Sequence, residues 1–424
     1  MKPVQKSTVE RTPMLSLDEA LHRLLAGVRG HEIVETEAVS TFDALGRVLA
    51  QDVRSTLDVP PADNSSMDGY ALRCADVLAE GMVLPVSQRI PAGHVGHALA
   101  PGTAARIFTG GQVPPGADAV VVQEQCEVVD APAGAILGSV RVRTQPVAGH
   151  AIRRRGEDVR HGAVVLCAGT RLTPQAMGMA ASVGAGSLQV RRRARVALFS
   201  TGDELVMPGE PLKPGAIYNS NRFTLRGLLQ AAGCEVLDHG IVPDRLDATR
   251  GALKRAAAAS DLVLTSGGVS VGEEDHLKPA VQAEGRLDLW QIAIKPGKPL
   301  AFGAVQRSDG TEALFIGLPG NPVSSMVTFL VAVIPVLRAL TGMAPMGPRP
   351  VVMPSASEWP RPDKRREFLR ARVDADGALE LFPNQGSGVL TSLVWADGLV
   401  DNPPMQVIRR GDPVRFLPLP LLLE

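Results

Sequence analysis

The sequence predicts a multidomain α/β plus β protein. Its expected parts are a central doubly wound parallel sheet, a discontinuous helical domain, an inserted β domain and a C-terminal β barrel. Three observations predict it. From residue 194 apolar strands alternate with amphipathic helices, the order that builds a parallel sheet covered by helices. Residues 51–157 instead run through short β-rich segments broken by Gly and Pro, and this stretch lies between two helix signals. After residue 347 a Pro-rich spacer opens a final run of short strands. A chain of 424 residues is long enough for several domains. The divisions fall at 14–50 plus 160–193 (helical), 51–159 (inserted β), 194–345 (α/β) and 346–424 (barrel).

In chain order, residues 1–13 are polar and expected to be disordered. Ser16-Leu17-Asp18-Glu19 is a capping box, with Ser16 as N-cap and Glu19 at the third helical position. Leu17, Leu21, Leu24, Leu25 and Val28 follow at helical spacing. Residues 119–122 and 135–142 read as strands of the inserted domain. Thr173-Pro174 opens a second helix, with Thr as N-cap and Pro at the first position, running over 175–182 and stopping at Gly184. Ordering alone suggests that it packs with the first helix. Strands at 196–200, 234–242, 261–265 and 314–316 then alternate with helices at 222–232, 247–259 and 322–340. Residues 292–305 read as a hairpin around the turn Lys295-Pro296-Gly297-Lys298-Pro299.

Composition excludes several function classes. Lys+Arg equals Asp+Glu at 44 each, so no charge excess points to nucleic acid or a membrane surface. Aromatic residues make up 4%, which argues against stacking platforms for single strands. Cys74, Cys126, Cys167 and Cys234 are scattered, with neither zinc-site spacing nor a disulfide framework, and read as inert thiols of a reducing cytosol. The start lacks the apolar core of a signal peptide, and the apolar stretch 326–337 is too short to span a bilayer. The expectation is a soluble cytoplasmic protein.

In open α/β sheets ligands bind outside the carboxyl ends of the strands, and the distinctive loops of the central domain fall there. Thr201-Gly202-Asp203-Glu204 follows 196–200, and Pro243-Asp244 follows 234–242. After 261–265 comes Ser266-Gly267-Gly268-Val269-Ser270, then Glu273, Glu274 and Asp275. Gly317-Leu318-Pro319-Gly320-Asn321-Pro322 follows 314–316. A Gly-rich turn after a buried strand offers N–H groups and hydroxyls to a phosphate. Asp203, Glu204, Asp244 and Asp275 suit magnesium, which takes one or two carboxylates plus phosphate oxygens and water. Turn formation or capping is the alternative for Glu204 and Asp244. Asn321-Pro322 is an N-cap with Pro at the first helical position, so N–H groups there face the rim; a well-capped helix is the plainer reading. Lys295 and Lys298 flank a tight turn and are placed to meet an oxyanion, unless the turn is a solvated hairpin tip.

Two further clusters lie outside the central domain. Asp63-Asn64-Ser65-Ser66-Met67-Asp68-Gly69-Tyr70-Ala71 packs acids, an amide and hydroxyls around a Met and a Tyr. Arg153-Arg154-Arg155-Gly156-Glu157-Asp158 offers guanidinium groups to a phosphate, or is a solvated loop. Residues 107–111 end a strand in Thr109 and two glycines.

These motifs together resemble the molybdopterin molybdenumtransferases, the family of bacterial MoeA and the C-terminal domain of gephyrin. The matching segments are DNSSMDGYA, FTGG with PPGADAVV, RRRGEDV, STGDEL, TSGGVSVGEED, IKPGKPLAFG and LPGNPVSS, in order from about residue 15 to 420. The resemblance implies a molybdopterin-binding fold in the central domain and an elongated homodimer whose active site is shared between subunits. It implies an enzyme that takes adenylylated molybdopterin and molybdate, cleaves the adenylate with Mg2+, and yields molybdenum cofactor and AMP. It implies transient contact with the molybdopterin adenylyltransferase and with acceptor molybdoenzymes. Carried over motif by motif, Ser266, Gly267, Gly268 and Ser270, with Thr201 and Gly202, would bind the pterin phosphate and diphosphate. Asp203, Glu204, Asp244 and Asp275 would position metal and water. Lys295, Lys298, Pro319 and Pro322, with Gly320 and Asn321, would shape the molybdate pocket. Asp63, Thr109, Arg153 and Asp158 would come from the neighbouring subunit. Three alternatives stay open: adenylyltransferase-type chemistry on the same sheet, a scaffolding role, and tungstate in place of molybdate.

Overall fold

The computed structural model describes residues 14–129, 137–268, 276–344 and 349–423. The expected disorder of 1–13 and the start of the strand expected at 135–142 lie outside these residues. The chain divides into two units. One comprises Met1–Glu37, Gly46–Ala50 and Val190–Glu424; the other comprises Ala38–Leu45 and Gln51–Gln189. The first unit begins with helix α1 (Leu17–Val28). Its capping box is formed: the Glu19 N–H donates to Ser16 Oγ at 3.2 Å, and the Ser16 N–H donates to Glu19 Oε2 at 2.8 Å. The buried face carries Leu17, Ala20, Leu24 and Val28.

The second unit is built on a six-stranded sheet. Its strands are β1 (Gly69–Leu72), β2 (Met82–Ile90), β3 (Ala104–Ile107), β4 (Ala119–Val122), β5 (Cys126–Val129) and β6 (Ser139–Val142). They lie in the order β4-β1-β3-β2-β6-β5, all antiparallel except the β2–β3 pair. Strand β1 is buried on both faces because successive side chains point to opposite sides: Tyr70 and Leu72 join one apolar cluster, Ala71 the other. Helix α2 (Pro174–Ser182) starts as expected, with the Ala176 N–H on Thr173 Oγ1. It belongs to this unit, whereas α1 packs into the core of the first. The expected pairing of the two helices is therefore corrected: α1 spends its apolar stripe on the α/β core.

The first unit continues with β7 (Arg195–Thr201), α3 (Ser220–Ala231), β8 (Glu235–Val242), α4 (Leu246–Ala259), β9 (Leu262–Ser266) and α5 (Leu277–Glu284). Next come β10 (Gly285–Gln291), β11 (Ile294–Lys295), β12 (Pro299–Gln306), β13 (Glu312–Leu318), α6 (Pro322–Thr328) and α7 (Ile334–Leu340). The sheet order is β8-β7-β9-β13-β12-β10. The first four strands are parallel, as predicted. Strand β12 runs antiparallel to both its neighbours, β13 and β10, so the sheet is mixed; the links on either side of it are too short for a parallel crossover. The expected hairpin is present with longer arms, β10 and β12. Helix α5 escaped the sequence reading because Pro279 falls inside it, in the first turn where a missing N–H is tolerated.

Apolar layers cover both sheet faces. Phe199, Leu253, Val263 and Phe315 lie on one side; α1, α6 and α7 pack on the other with Leu198, Leu264 and Ile316. Between α6 and α7 residues 329–333 form a π-helical turn, a rare element, just ahead of Pro335, which lacks the N–H of the helical ladder. The whole run Pro322–Leu340 has 19 residues, longer than the apolar stretch read from sequence, and is long and apolar enough to cross a bilayer by length and composition. With 83% of that span buried inside the protein, it is a core helix here.

The C-terminal strands are β14 (Val351–Pro354), β15 (Arg366–Val373), β16 (Leu379–Leu381), β17 (Gly398–Asn402) and β18 (Pro413–Pro418). They pair in the order β11-β15-β17-β18-β14, with β16 on β15. Strand β11 comes from the hairpin loop, and Phe368, Leu399 and Leu417 share the core of the α/β layer. Just beyond β14 the Ala356 N–H donates to the Leu379 carbonyl at 2.8 Å, an isolated bridge that returns the path to β16 and so to β15.

Candidate active site

The chain runs from β7 to β8 on one side, then crosses to β9 on the other side of β7. This reversal of strand order opens a crevice at the carboxyl ends of β7 and β9. A cleft of about 750 Å³ lies there. Among its walls are Thr201, Gly202, Glu204, Asp244, Ser266, Gly267, Gly268, Lys295, Lys298, Pro319, Gly320 and Asn321. One volume thus gathers most of the residues expected from the central domain. Asp203 faces an adjoining hollow of about 610 Å³ that it shares with Glu204. Ser270 and Asp275, together with Glu273 and Glu274, lie outside the described residues.

The loop after β9 needs its glycines. Gly267 (φ 90°) and Gly268 (φ 65°) lie in the left-handed region. A Cβ on Gly267 would stand 2.8 Å from the Thr201 carbonyl oxygen, and one on Gly268 would stand 2.9 Å from Thr201 Oγ1. The Gly267 N–H donates to the Leu318 carbonyl at 3.1 Å, which docks this loop on the one after β13. The hydroxyls of Ser266 and Ser200 lie 3.3 Å apart, so Ser266 turns its oxygen towards the sheet. Asn321 holds the N-cap position and Pro322 follows at the helix start. The Asn321 side chain makes no capping bond, and the Val323 N–H already donates to the Ser387 carbonyl at 3.0 Å. Pro322 shapes the helix start from outside the cleft wall.

Two described carboxylates, Glu204 and Asp244, line the cleft. Asp203 Oδ1 accepts the Asp244 N–H at 3.0 Å and so ties the loops after β7 and β8 together. Among the described residues no three His, Cys, Asp or Glu side chains cluster as a metal cage. This donor set fits magnesium held jointly by one or two carboxylates and substrate phosphate oxygens.

The cleft is also lined by Lys295, Lys298 and Arg365. Lys295 Nζ lies 3.2 Å from Glu367 Oε1 and 3.5 Å from Asp363 Oδ2. Glu367 is 0% exposed, and its other oxygen accepts Trp359 Nε1 at 2.8 Å, the Asp363 N–H at 3.1 Å and Asn402 Nδ2 at 3.4 Å. Arg365 forks onto both oxygens of Asp363 at 3.1 and 3.0 Å, which holds that carboxyl well below the usual carboxylate range. Lys298 is exposed and has no carboxylate partner among the described residues.

Sequence reasoning missed four contributors to this wall and two to the floor. Arg365, Gln385, Gly386 and Ser387 line the cleft from the C-terminal segment. The turn Asn384-Gln385-Gly386-Ser387 had the texture of a loop site, but nothing in the sequence places it beside Lys295. Asn219 and Asn221 also line the cleft and are only 2% and 9% exposed. Asn219 Oδ1 accepts the Arg222 N–H at 3.1 Å, and Asn221 Nδ2 donates to the Gly320 carbonyl at 2.7 Å. Their remaining polar atoms, Asn219 Nδ2 and Asn221 Oδ1, are buried without a hydrogen-bond partner.

The second unit collects its own motifs. Asn64–Ser65 pairs with Ile152–Arg153, and the Gly110 N–H donates to the Ser65 carbonyl at 2.8 Å. Asp63 accepts Arg154 at 2.8 Å and the Arg155 N–H at 2.8 Å, and these bonds, the backbone one foremost, hold its carboxyl below the ordinary value. Thr109 donates both its N–H and its hydroxyl to Asp68 Oδ1, each at 2.8 Å. These two bonds staple the turn that carries Thr109 to Asp68. Arg153 and Asp158 are exposed.

Comparison with known proteins then decides the family. A molybdopterin molybdenumtransferase of Haemophilus influenzae is 42% identical over 330 residues, 78% of this chain and 78% of that protein. One from Nostoc is 37% identical over 400 residues, covering 91% of this chain and 89% of that protein. The chain belongs to the molybdopterin molybdenumtransferase family. The family models divide it into a MoeA N-terminal region (domains I and II) at 15–184, a probable molybdopterin-binding domain at 197–339 and a MoeA C-terminal region (domain IV) at 353–419. The crystal structure of the molybdopterin biosynthesis MoeA protein from Pyrococcus horikoshii OT3 matches with a TM-score of 0.81 at 29% identity, over 96% of this chain and 100% of that one. Within the family frame, the cleft draws its Gly loops from the molybdopterin-binding region, and Arg365 and Gln385–Ser387 from domain IV.

Proposed function

We propose that the chain inserts molybdenum from molybdate into adenylylated molybdopterin, with magnesium-dependent cleavage of the adenylate and release of AMP. The observation that carries this reading is one cleft that gathers Lys295, Lys298 and Arg365, the carboxylates of Glu204 and Asp244, and the Gly267–Gly268 loop. The diphosphate of the substrate lies along Gly267 and Gly268. Molybdate, a second oxyanion, sits against Lys298 and Arg365, with Lys295 held in place by Glu367. Glu204 and Asp244 hold magnesium together with the substrate phosphates and orient the attacking water; Asp275 belongs to the same set. Magnesium bound there neutralises phosphate charge. The buried amides of Asn219 and Asn221 wait for polar groups of the substrate.

The protein works in the cytoplasm as a homodimer. Asp63, Arg153 and Asp158 complete the site of the partner subunit. Its substrate comes from a molybdopterin adenylyltransferase, and its product passes to acceptor molybdoenzymes. The test is AMP release from adenylylated molybdopterin and magnesium, with and without molybdate. Release that rises with molybdate, with a product that reconstitutes an apo molybdoenzyme, supports the reading. Substrate binding without release overturns it.

A further inference from the structure

The six-stranded sheet of the second unit sets two arginines side by side. In the parallel β2–β3 pair Arg89 lies directly opposite Arg106, and in the antiparallel β1–β3 pair Tyr70 lies opposite Arg106. Cross-strand partners share a face of the sheet, so Tyr70, Arg106 and Arg89 form one row. Phe108 follows two residues beyond Arg106, its N–H on the Ile90 carbonyl at 3.2 Å, and its ring meets the same row. The Arg106 guanidinium lies 5.1 Å from the Tyr70 ring centre and 4.7 Å from that of Phe108. The Arg89 guanidinium lies 4.8 Å from the same Phe108 centre. Two cations thus share one ring.

Like charges directly opposite on neighbouring strands repel. On β6 and just after it the arginines are answered, since Arg141 and Arg143 share Glu127 at 3.3 and 3.1 Å. Neither Arg89 nor Arg106 has a carboxylate in ion-pair range among the described residues. Arg106 donates to the Gly69 carbonyl at 3.2 Å and to Gln123 Oε1 at 2.7 Å, both neutral acceptors. It stands in the field of Asp68, but that carboxylate is held by both donors of Thr109. Arg89 is exposed, and its N–H donors have no protein acceptor among the described residues. The rings hold the two guanidiniums in place without neutralising them.

We propose that Arg89 and Arg106 form an oxyanion site on the second unit that takes a phosphate group, carried either by free phosphate or by a nucleotide. Guanidinium forks match phosphate oxygens in pairs. A dianion held by both arginines relieves their mutual repulsion. The site uses no residue of the cleft and stands apart from the reading of the cleft.

The test is modification of the full chain with phenylglyoxal, an arginine-selective reagent, followed peptide by peptide by mass spectrometry. It is run in sodium phosphate, in AMP and in NaCl of the same ionic strength, with exposed Arg410 of the first unit as the internal control. Because the readout is the peptide that carries Arg89, anions bound elsewhere do not register. Phosphate should slow modification of Arg89 about fivefold relative to NaCl and leave Arg410 within about 1.5-fold. Protection by AMP alone, or by AMP at lower concentration, assigns the site to a nucleotide; equal or weaker protection by AMP assigns it to free phosphate. In R106Q the protection of Arg89 should fall below about twofold, since one of the two charges is gone. In F108L, with the shared ring removed, it should fall to about half of the wild-type value. Both variants are first checked for folding by circular dichroism. Arg89 protected by neither anion beyond NaCl, or no more than Arg410, overturns the proposal, and so does wild-type protection in R106Q. If R106Q does not fold, F108L decides, and wild-type protection in F108L overturns it.

Discussion

The cleft of the first unit and the motif patch of the second are built from the same residue types: acids, arginines or lysines, hydroxyls and glycines. In the patch most of those groups answer one another, while Arg153 and Asp158 are exposed. Asp63 is taken by Arg154 and Arg155, Asp58 by Arg155, and Asp68 by both donors of Thr109. In the cleft several are left over. Lys298 has no carboxylate partner among the described residues, and Asn219 Nδ2 and Asn221 Oδ1 are buried with no partner at all. A buried polar atom without a partner costs free energy that a ligand can recover. Motif density marks both regions, while buried polar atoms without a partner are found at the cleft and not, among the described residues, in the patch.

The largest expected break in this contrast lies in the scaffold of the cleft. Glu367→Ala removes the buried carboxylate that holds Lys295, Trp359 and Asn402. Breaking a buried ion pair costs about 3–5 kcal/mol, so denaturant unfolding should show a loss of that order. An unchanged midpoint would mean that Glu367 is not the anchor of the cationic wall. Next comes Gly267→Ala, which forces a Cβ against the Thr201 carbonyl and should cost about 1–3 kcal/mol, with loss of pterin binding measured by fluorescence titration.

Lys298→Ala sharpens the comparison from the functional side. An exposed lysine without a carboxylate contributes little to the fold, so stability should stay within about 0.5 kcal/mol. Molybdate binding should weaken about tenfold. The smallest effect is expected in the patch, with Asp63→Asn. The folded-state pKa of Asp63 lies below its unfolded value, so its stabilisation is present above about pH 4 and fades as pH falls through the folded value. Melting curves of wild type and Asp63→Asn should therefore differ most near neutrality and converge in acid. A gap that widens on acidification would contradict the assignment.

Much of the fold was legible because its signals are local. The apolar runs of β7, β8 and β9 and the helices between them set the switch point, and the switch point sets the cleft. The position of α1 was not legible: its stripe showed which face is buried but not what it meets. The cationic wall was hidden for a related reason. Lys295 and Glu367 are 72 residues apart, and Arg365 and Gln385 reach the cleft only because β11 adds to the C-terminal sheet. The bonds of Thr109 to Asp68 were hidden in the same way, since the two residues are 41 positions apart. Asn219 and Asn221 carry no signal of their own in the sequence, and each makes one side-chain bond, Asn219 as the N-cap of α3 and Asn221 to the Gly320 carbonyl. Only the three-dimensional accounting shows the half that is left unused.

The most direct test of the central claim is the anomalous signal of molybdenum in crystals of the protein soaked with molybdate. The account predicts a peak in the cleft within hydrogen-bonding distance of Lys298 and Arg365. A peak confined to the Asp63–Arg155 patch, or a cleft left empty at saturating molybdate, would contradict it.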